Sequence, residues 1–248
     1  NTGMGLALVA AVRGYRLICV MPEKMSVDKR QALAALGAEV VITPNAPLDS
    51  PDNFQNVARR MAAERGAFLT DQFNNPDNIA AHYHGTGEEI WRQTEGKVTM
   101  AVVALGTTGT AMGISRRLKD YNPSVRTVGV EPYLQHKIQG LKNMKESYQP
   151  GIFDRNGLDE KVNIQDEDAF EMARRLVREE GIFAGMSSGA AMHVAIEKAR
   201  TLDHGVIVAV LPDGGDRYLS TDLFADKQET SLVFYNALTR QKEPFRPI

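Results

Sequence analysis

Strand-like apolar runs and stretches of helical periodicity take turns along this chain almost without a break, and that alternation limits the fold more than any other feature. A helical opening, "NTGMGLALVAAVRG", leads into "YRLICVMP", a strand ended by proline. "SVDKRQALAALG" offers Ser26 as an N-cap, apolar residues at helical spacing and a closing glycine, and "AEVVITP" is the next strand. Past the Pro-, Asp- and Asn-rich residues 44–53, the pattern predicts a helix over Phe54–Arg65, a short strand near Phe68, a loop "TDQFNNPDN" and a long helix over residues 76–93. A strand over residues 100–105 follows, then a glycine–threonine loop, the helix "GISRRLKDYN" and the strand "VRTVGVEP". Residues 133–156 show little periodicity. "KVNI", a helix over Asp166–Glu180, a turn "AGMSSG", a helix to about Leu202 and the strand "GVIVAVLP" complete the series. Repeated βα units call for parallel sheets covered by helices. The expected class is therefore α/β with two parallel-sheet, three-layer lobes: a smaller one over residues 1–76, a larger one over 77–230, and a tail at 231–248.

Bulk properties narrow the function. In 248 residues, 43% hydrophobic, there is enough apolar material for a substantial core. Lysine and arginine total 29 against 31 acidic residues, a formal charge of −2, so no global field recruits nucleic acid to residues 1–230 or an anionic membrane. Cys19 is the only cysteine, which excludes an internal disulfide and a cysteine-built zinc site and fits a reducing, cytoplasmic setting. The longest apolar runs, residues 6–12 and 206–211, fall far short of a membrane span. His82 and His84 sit two apart in a predicted helix, so their rings leave on different faces; they read as structural, and no metal is expected.

In parallel α/β sheets, ligands sit beyond the carboxyl ends of strands, where loops feed helix N-termini. Three loops rich in small polar residues occupy that position: "GTTGT" at residues 106–110, "AGMSSGAA" at 184–191 and "LPDGGDRYLS" at 211–220. In the first, Gly106 and Gly109 let the backbone approach closely, Thr107, Thr108 and Thr110 bring hydroxyls, and the helix dipole favours an anion. The loop lacks the Gly-Lys-Ser/Thr of a nucleoside-triphosphate cradle and the G-x-G-x-x-G of a dinucleotide site, so a monoester phosphate suits it best. Taken alone, the same residues also serve as a plain strand-to-helix turn.

Six segments in order, "NTGMGLALVAAVRGY", "MPEKMSVDKRQALAALGAEVVITP", "DQFNNPDNIAAHYHGTGEEIW", "GTTGTAMGISRRLKD", "GIFAGMSSGAA" and "LPDGGDRYLST", resemble the cysteine synthases. These O-acetylserine sulfhydrylases are fold-type II enzymes of the tryptophan-synthase-β group and use pyridoxal 5′-phosphate. Thr108, "PGIF" and "GDRYLST" look like the B-type branch. The resemblance implies that Gly106, Thr107, Thr108, Gly109 and Thr110 cradle the cofactor's phosphate, that Asn1 meets the ring's 3-oxygen, and that Thr2 and Gln72 hold the substrate carboxylate. Ser187 matches the B-type partner of the pyridine nitrogen, with Asp213 as a second candidate. Lys142 falls where that branch carries an arginine associated with larger anionic sulfur donors; a solvated loop lysine is the competing reading.

The implied reaction is β-replacement of the acetate of O-acetylserine by sulfide or thiosulfate, giving cysteine, in a homodimer. Cystathionine β-synthase, a serine/threonine dehydratase or a non-catalytic partner sharing the fold are the alternatives. In this family the Schiff-base lysine precedes the asparagine loop. The expectation is thus that the lobe is truncated at its N-terminus, that no catalytic residue lies within residues 1–248, and that this polypeptide alone is inactive. Finally, "SLVFYNALTRQKEPFRPI" resembles the start of cysteinyl-tRNA synthetases, which implies a fusion.

Overall fold

The computed structural model describes residues 1–145, 148–225, 233–236 and 241–244. Its first elements are α1 (Thr2–Arg13), β1 (Ile18–Pro22), α2 (Val27–Ala35), β2 (Glu39–Thr43) and α3 (Phe54–Arg65). β1 and β2 pair in parallel, Ile18 opposite Glu39. The start and stop of α2 follow local chemistry: the Ser26 hydroxyl accepts from Lys29 N at 3.4 Å, and Gly37 leaves the helix with φ +86°.

Next come α4 (Asp77–Ala81), a π-helical turn (His82–Thr86), α5 (Gly87–Gln93), β3 (Val98–Ala104), α6 (Gly109–Tyr121) and β4 (Arg126–Pro132). β5 (Glu160–Ile164), α7 (Asp166–Glu180), α8 (Met186–Ala199) and β6 (Val206–Ala209) complete a second sheet, of order β5-β4-β3-β6 with every pairing parallel. β3 lies inside that sheet with helices on both faces, which is why it reads as one continuous apolar run. Its side chains alternate between two cores. Met100 and Val102 pack with Val128, Val130, Ala173, Ala190 and Val194 on the α7/α8 side. Ala101 and Val103 pack with Ile90, Leu105, Ile114 and Leu118 on the α5/α6 side. In the tail, β7 (Val233–Asn236) and β8 (Gln241–Pro244) form an antiparallel hairpin; the "ALTR" between them lies outside the described residues.

Three local expectations are corrected. No strand forms near Phe68, which is 86% exposed and pairs with no strand among the described residues. The long helix over 76–93 is interrupted by its π turn. "MSSG" is the first turn of α8 rather than a loop, since small residues are what α7 needs to approach: a Cβ on Gly189 would stand 2.0 Å from Ala169 O.

One charge is buried at the end of the larger sheet. Glu131, 2% exposed, meets Lys161 Nζ at 2.5 Å and accepts from Met144 N at 3.1 Å, so it pins the segment after β4. Removing one member of such a pair strands the other. Lys161→Met is therefore expected to lower unfolding free energy by ~3 kcal/mol in denaturant titrations; an unchanged midpoint would show the pair to be solvated.

Candidate functional site

Because the strands of the larger sheet all run one way, the loops after β3, β4 and β6 open at one edge, and α8, running back, brings its N-terminus there too. The loop after β3 is pressed in from two sides. A Cβ on Gly106 would lie 2.3 Å from Gly140 O, and one on Gly109 2.0 Å from Asn78 Oδ1, so neither position has room for a side chain. Asn78 Nδ2 donates to Thr107 Oγ1 at 3.0 Å and to Gln72 O at 2.7 Å, tying the Gln72 segment to the loop.

Thr108 is held at φ +72°, a left-handed conformation that a β-branched residue rarely adopts. It is 2% exposed and its hydroxyl has no hydrogen-bond partner. A buried hydroxyl without a partner, on strained backbone at the N-terminus of a helix whose first-turn N–H groups have no partner within the helix, is a donor set awaiting an anion. Thr110 Oγ1 lies 3.1 Å from His82 Nε2.

A second cluster joins α2, α8 and the loop after β6. Gly185 N donates to Asp213 O at 3.1 Å, and a Cβ on Gly185 would sit 2.2 Å from Asp213 Oδ1. Asp213 Oδ2 accepts from the Tyr218 hydroxyl at 2.8 Å, while its Oδ1 is buried without a partner. Ser187 and Ser188 are buried in the first turn of α8, and it is the Ser188 hydroxyl that lacks a partner. Lys29 Nζ donates to Tyr218 Oη at 3.0 Å and to Gln139 Oε1 at 3.4 Å, and lies 4.2 Å from the Tyr218 ring centre. Ser26 Oγ donates to Arg217 O at 2.7 Å, and Asp28 accepts from both Ser220 N and Ser220 Oγ. The Asn1 side-chain oxygen accepts from Arg217 Nη1, so Asn1 belongs to this cluster. Thr2 is exposed at the start of α1.

Lys142 is not a solvated loop lysine. Its N–H donates to Leu105 O at 2.9 Å, and its amino group lies 5.0 Å from the Phe73 ring centre and 5.9 Å from that of Phe54. Burial, reinforced by Lys24, lowers its pKa to about 8. Burial lowers Lys29 to about 8 as well, Asp213 partly opposing the shift and Arg217 adding to it. Both amines are thus expected to titrate near pH 8 in ¹⁵N-detected lysine spectra, and midpoints above 10 would remove the burial argument. Since their folded pKa values lie below the unfolded ones, their contribution to stability rises as pH increases from about 8 through the normal lysine range.

Residues 1–213 match the family model described as "Pyridoxal-phosphate dependent enzyme". The chain belongs to that family. Cysteine synthase B of Pseudomonas aeruginosa is 41% identical over 224 residues, which cover 90% of this chain and 74% of the relative. Cystathionine beta-synthase of Mus musculus is 43% identical over 260 aligned residues, 99% of this chain and 46% of the relative. The crystal structure of O-acetyl serine sulfhydrylase isoform 3 from Entamoeba histolytica superposes with a TM-score of 0.81 at 37% identity, covering 92% of this chain and 71% of that one.

The fold is accordingly the fold-type II arrangement of this pyridoxal-phosphate family, and pyridoxal 5′-phosphate is the cofactor. The site fits it: a helix N-terminus with two crowded glycines and an unpaired buried hydroxyl for the phosphate, and a second set of unpaired polar atoms, Asp213 Oδ1 and Ser188 Oγ, at the same sheet edge. Asn78 and Lys29 enter the site through contacts 29 and 189 positions away along the chain, which no local pattern marks.

Proposed function

We propose that the protein forms L-cysteine by pyridoxal-phosphate-dependent β-replacement, taking O-acetylserine and an inorganic sulfur donor. The carrying observation is the buried, partnerless Thr108 hydroxyl at the N-terminus of α6, beside glycines that admit no side chain. Cysteine synthase relatives above 40% identity support the reaction class.

When bound, the cofactor supplies an electron sink that labilises the substrate's α-proton and β-substituent. Residues Gly106, Thr107, Thr108, Gly109 and Thr110 hold its phosphate through backbone N–H groups and hydroxyls, fixing its position without a compensating cation. Ser187 or Asp213 meets the ring nitrogen. A neutral serine leaves that nitrogen unprotonated, whereas the Asp213 carboxylate would favour its protonation. Asn1 orients the ring's oxygen, and Thr2 and Gln72 bind the amino-acid carboxylate. Lys142, set between aromatic rings at the same edge, attracts an anionic sulfur donor, sulfide or the larger thiosulfate. The working unit is a homodimer.

The test is the product made by the intact protein supplied with pyridoxal 5′-phosphate. O-acetylserine with sulfide is expected to give cysteine, identified by mass spectrometry. Cystathionine from serine and homocysteine, with no cysteine from O-acetylserine, would replace this reading by the alternative suggested by the mouse relative.

A further inference from the structure

Asp213 poses an electrostatic problem at the end of the larger sheet: a carboxylate beside a pyridine ring favours a proton on its nitrogen, the opposite of what a neutral Ser187 does. The structure surrounds that carboxylate unevenly. Oδ2 accepts from the Tyr218 hydroxyl at 2.8 Å, and Oδ1 is buried without a partner. Tyr218 is 1% exposed, and burial, followed by the Asp213 charge, raises its pKa, so the phenol keeps its hydrogen. On the far side of the phenol stands Lys29, which α2 carries across from the first sheet: Nζ lies 3.0 Å from Tyr218 Oη and 3.4 Å from Gln139 Oε1. Contacts on both flanks fix that approach, Ser26 Oγ donating to Arg217 O at 2.7 Å and Asp28 accepting from Ser220 N at 2.9 Å and Ser220 Oγ at 2.7 Å. Glycine at 185 lets the carboxylate and the phenol reach the start of α8, since a Cβ there would stand 2.2 Å from Asp213 Oδ1 and 2.4 Å from Tyr218 Cε2.

We propose that Lys29 is a positioning residue which, through Tyr218, holds Asp213 as a hydrogen-bonded and charge-compensated carboxylate, so that the cofactor's pyridine nitrogen stays unprotonated beside it. The inference rests on the reading that the ring lies between the N-terminus of α8 and the loop after β6. The direction of the hydrogens follows from the groups themselves. An ammonium only donates and a phenol has a single hydrogen, so a charged Lys29 compels the Tyr218 oxygen to accept and sends its hydrogen to Asp213. Burial lowers the Lys29 pKa to about 8, with Asp213 opposing the shift, so at pH 7 most of the amine is charged. Arg217 turns its guanidinium to the Asn1 side-chain oxygen instead. Ser187 is then the group that meets the nitrogen, while Asp213 is held by the phenol.

Nitrogen-15 spectra of the intact protein holding pyridoxal 5′-phosphate labelled at the ring nitrogen read that proton directly, and the unprotonated position is expected at pH 7. Lys29→Met keeps the length of the stem and removes the charge; the midpoint at which the nitrogen takes up a proton is expected to rise by about one pH unit, a roughly tenfold gain in proton affinity. Lys29→Arg keeps the charge and should return the midpoint to its wild-type value, a rescue that follows charge rather than volume. Tyr218→Phe removes only the hydroxyl between the two charges and should move the midpoint the same way by a smaller amount, which keeps the proposal falsifiable where Lys29→Met does not fold. A protonated nitrogen in the wild type at pH 7, or a wild-type midpoint in either Lys29→Met or Tyr218→Phe, overturns the proposal. A label whose resonance is the same with and without the protein overturns the underlying reading instead.

Discussion

Gly189→Ala is expected to destabilise the protein by ~3 kcal/mol, the upper part of the usual range for overpacking. The added Cβ would stand 2.0 Å from Ala169 O, 2.7 Å from Ala173 N and 2.9 Å from Ala173 Cβ. Two of those atoms are backbone, so no rotamer change relieves the clash; α7 must move off α8, and the core against β3 opens with it. For a chain of this size the shift in thermal midpoint is roughly 10 °C, read by calorimetry. Gly5→Ala supplies the contrast. Gly5 lies within α1, is exposed and has nothing within 4 Å of its would-be Cβ, so alanine there should raise stability by up to ~1 kcal/mol through helix propensity alone. Equal effects at the two sites would contradict the packing account.

Gly106→Ala is expected to leave the fold intact and to weaken pyridoxal 5′-phosphate binding about a hundredfold, or about 2.7 kcal/mol. The reason is again a backbone atom: the new Cβ would meet Gly140 O at 2.3 Å, and relieving it displaces the turn that aims the first N–H groups of α6. Circular dichroism should be unchanged while the absorbance titration shifts. Wild-type affinity in this variant would mean that the cofactor does not depend on this turn.

What was legible in the sequence was what neighbouring residues decide. The alternation of strands and helices, the Ser26 cap of α2 and the glycine–threonine loop before α6 are all local, and the structure reproduces them. Phe68 misled because aromatic β-propensity is realised only where a partner strand exists, and "MSSG" misled because small residues suit a tight helix crossing as well as a loop. The polar network was not legible at all. Lys29 meets Tyr218 across 189 positions, and Asn78 meets Thr107 across 29, contacts that no periodicity encodes. The strain at Thr108 was equally hidden, since threonine gives no warning of a left-handed backbone.

The central claim is that residues 106–110 hold a monoester phosphate. Its most direct test is an amide ¹H–¹⁵N titration of the protein with pyridoxal 5′-phosphate, with inorganic phosphate and with pyridoxal. The account predicts that the Gly106, Thr107, Thr108, Gly109 and Thr110 amides move with both phosphate-bearing probes and stay in place with pyridoxal. Shifts confined to other segments, or amides at 106–110 that respond to pyridoxal as strongly as to its phosphate, would contradict it.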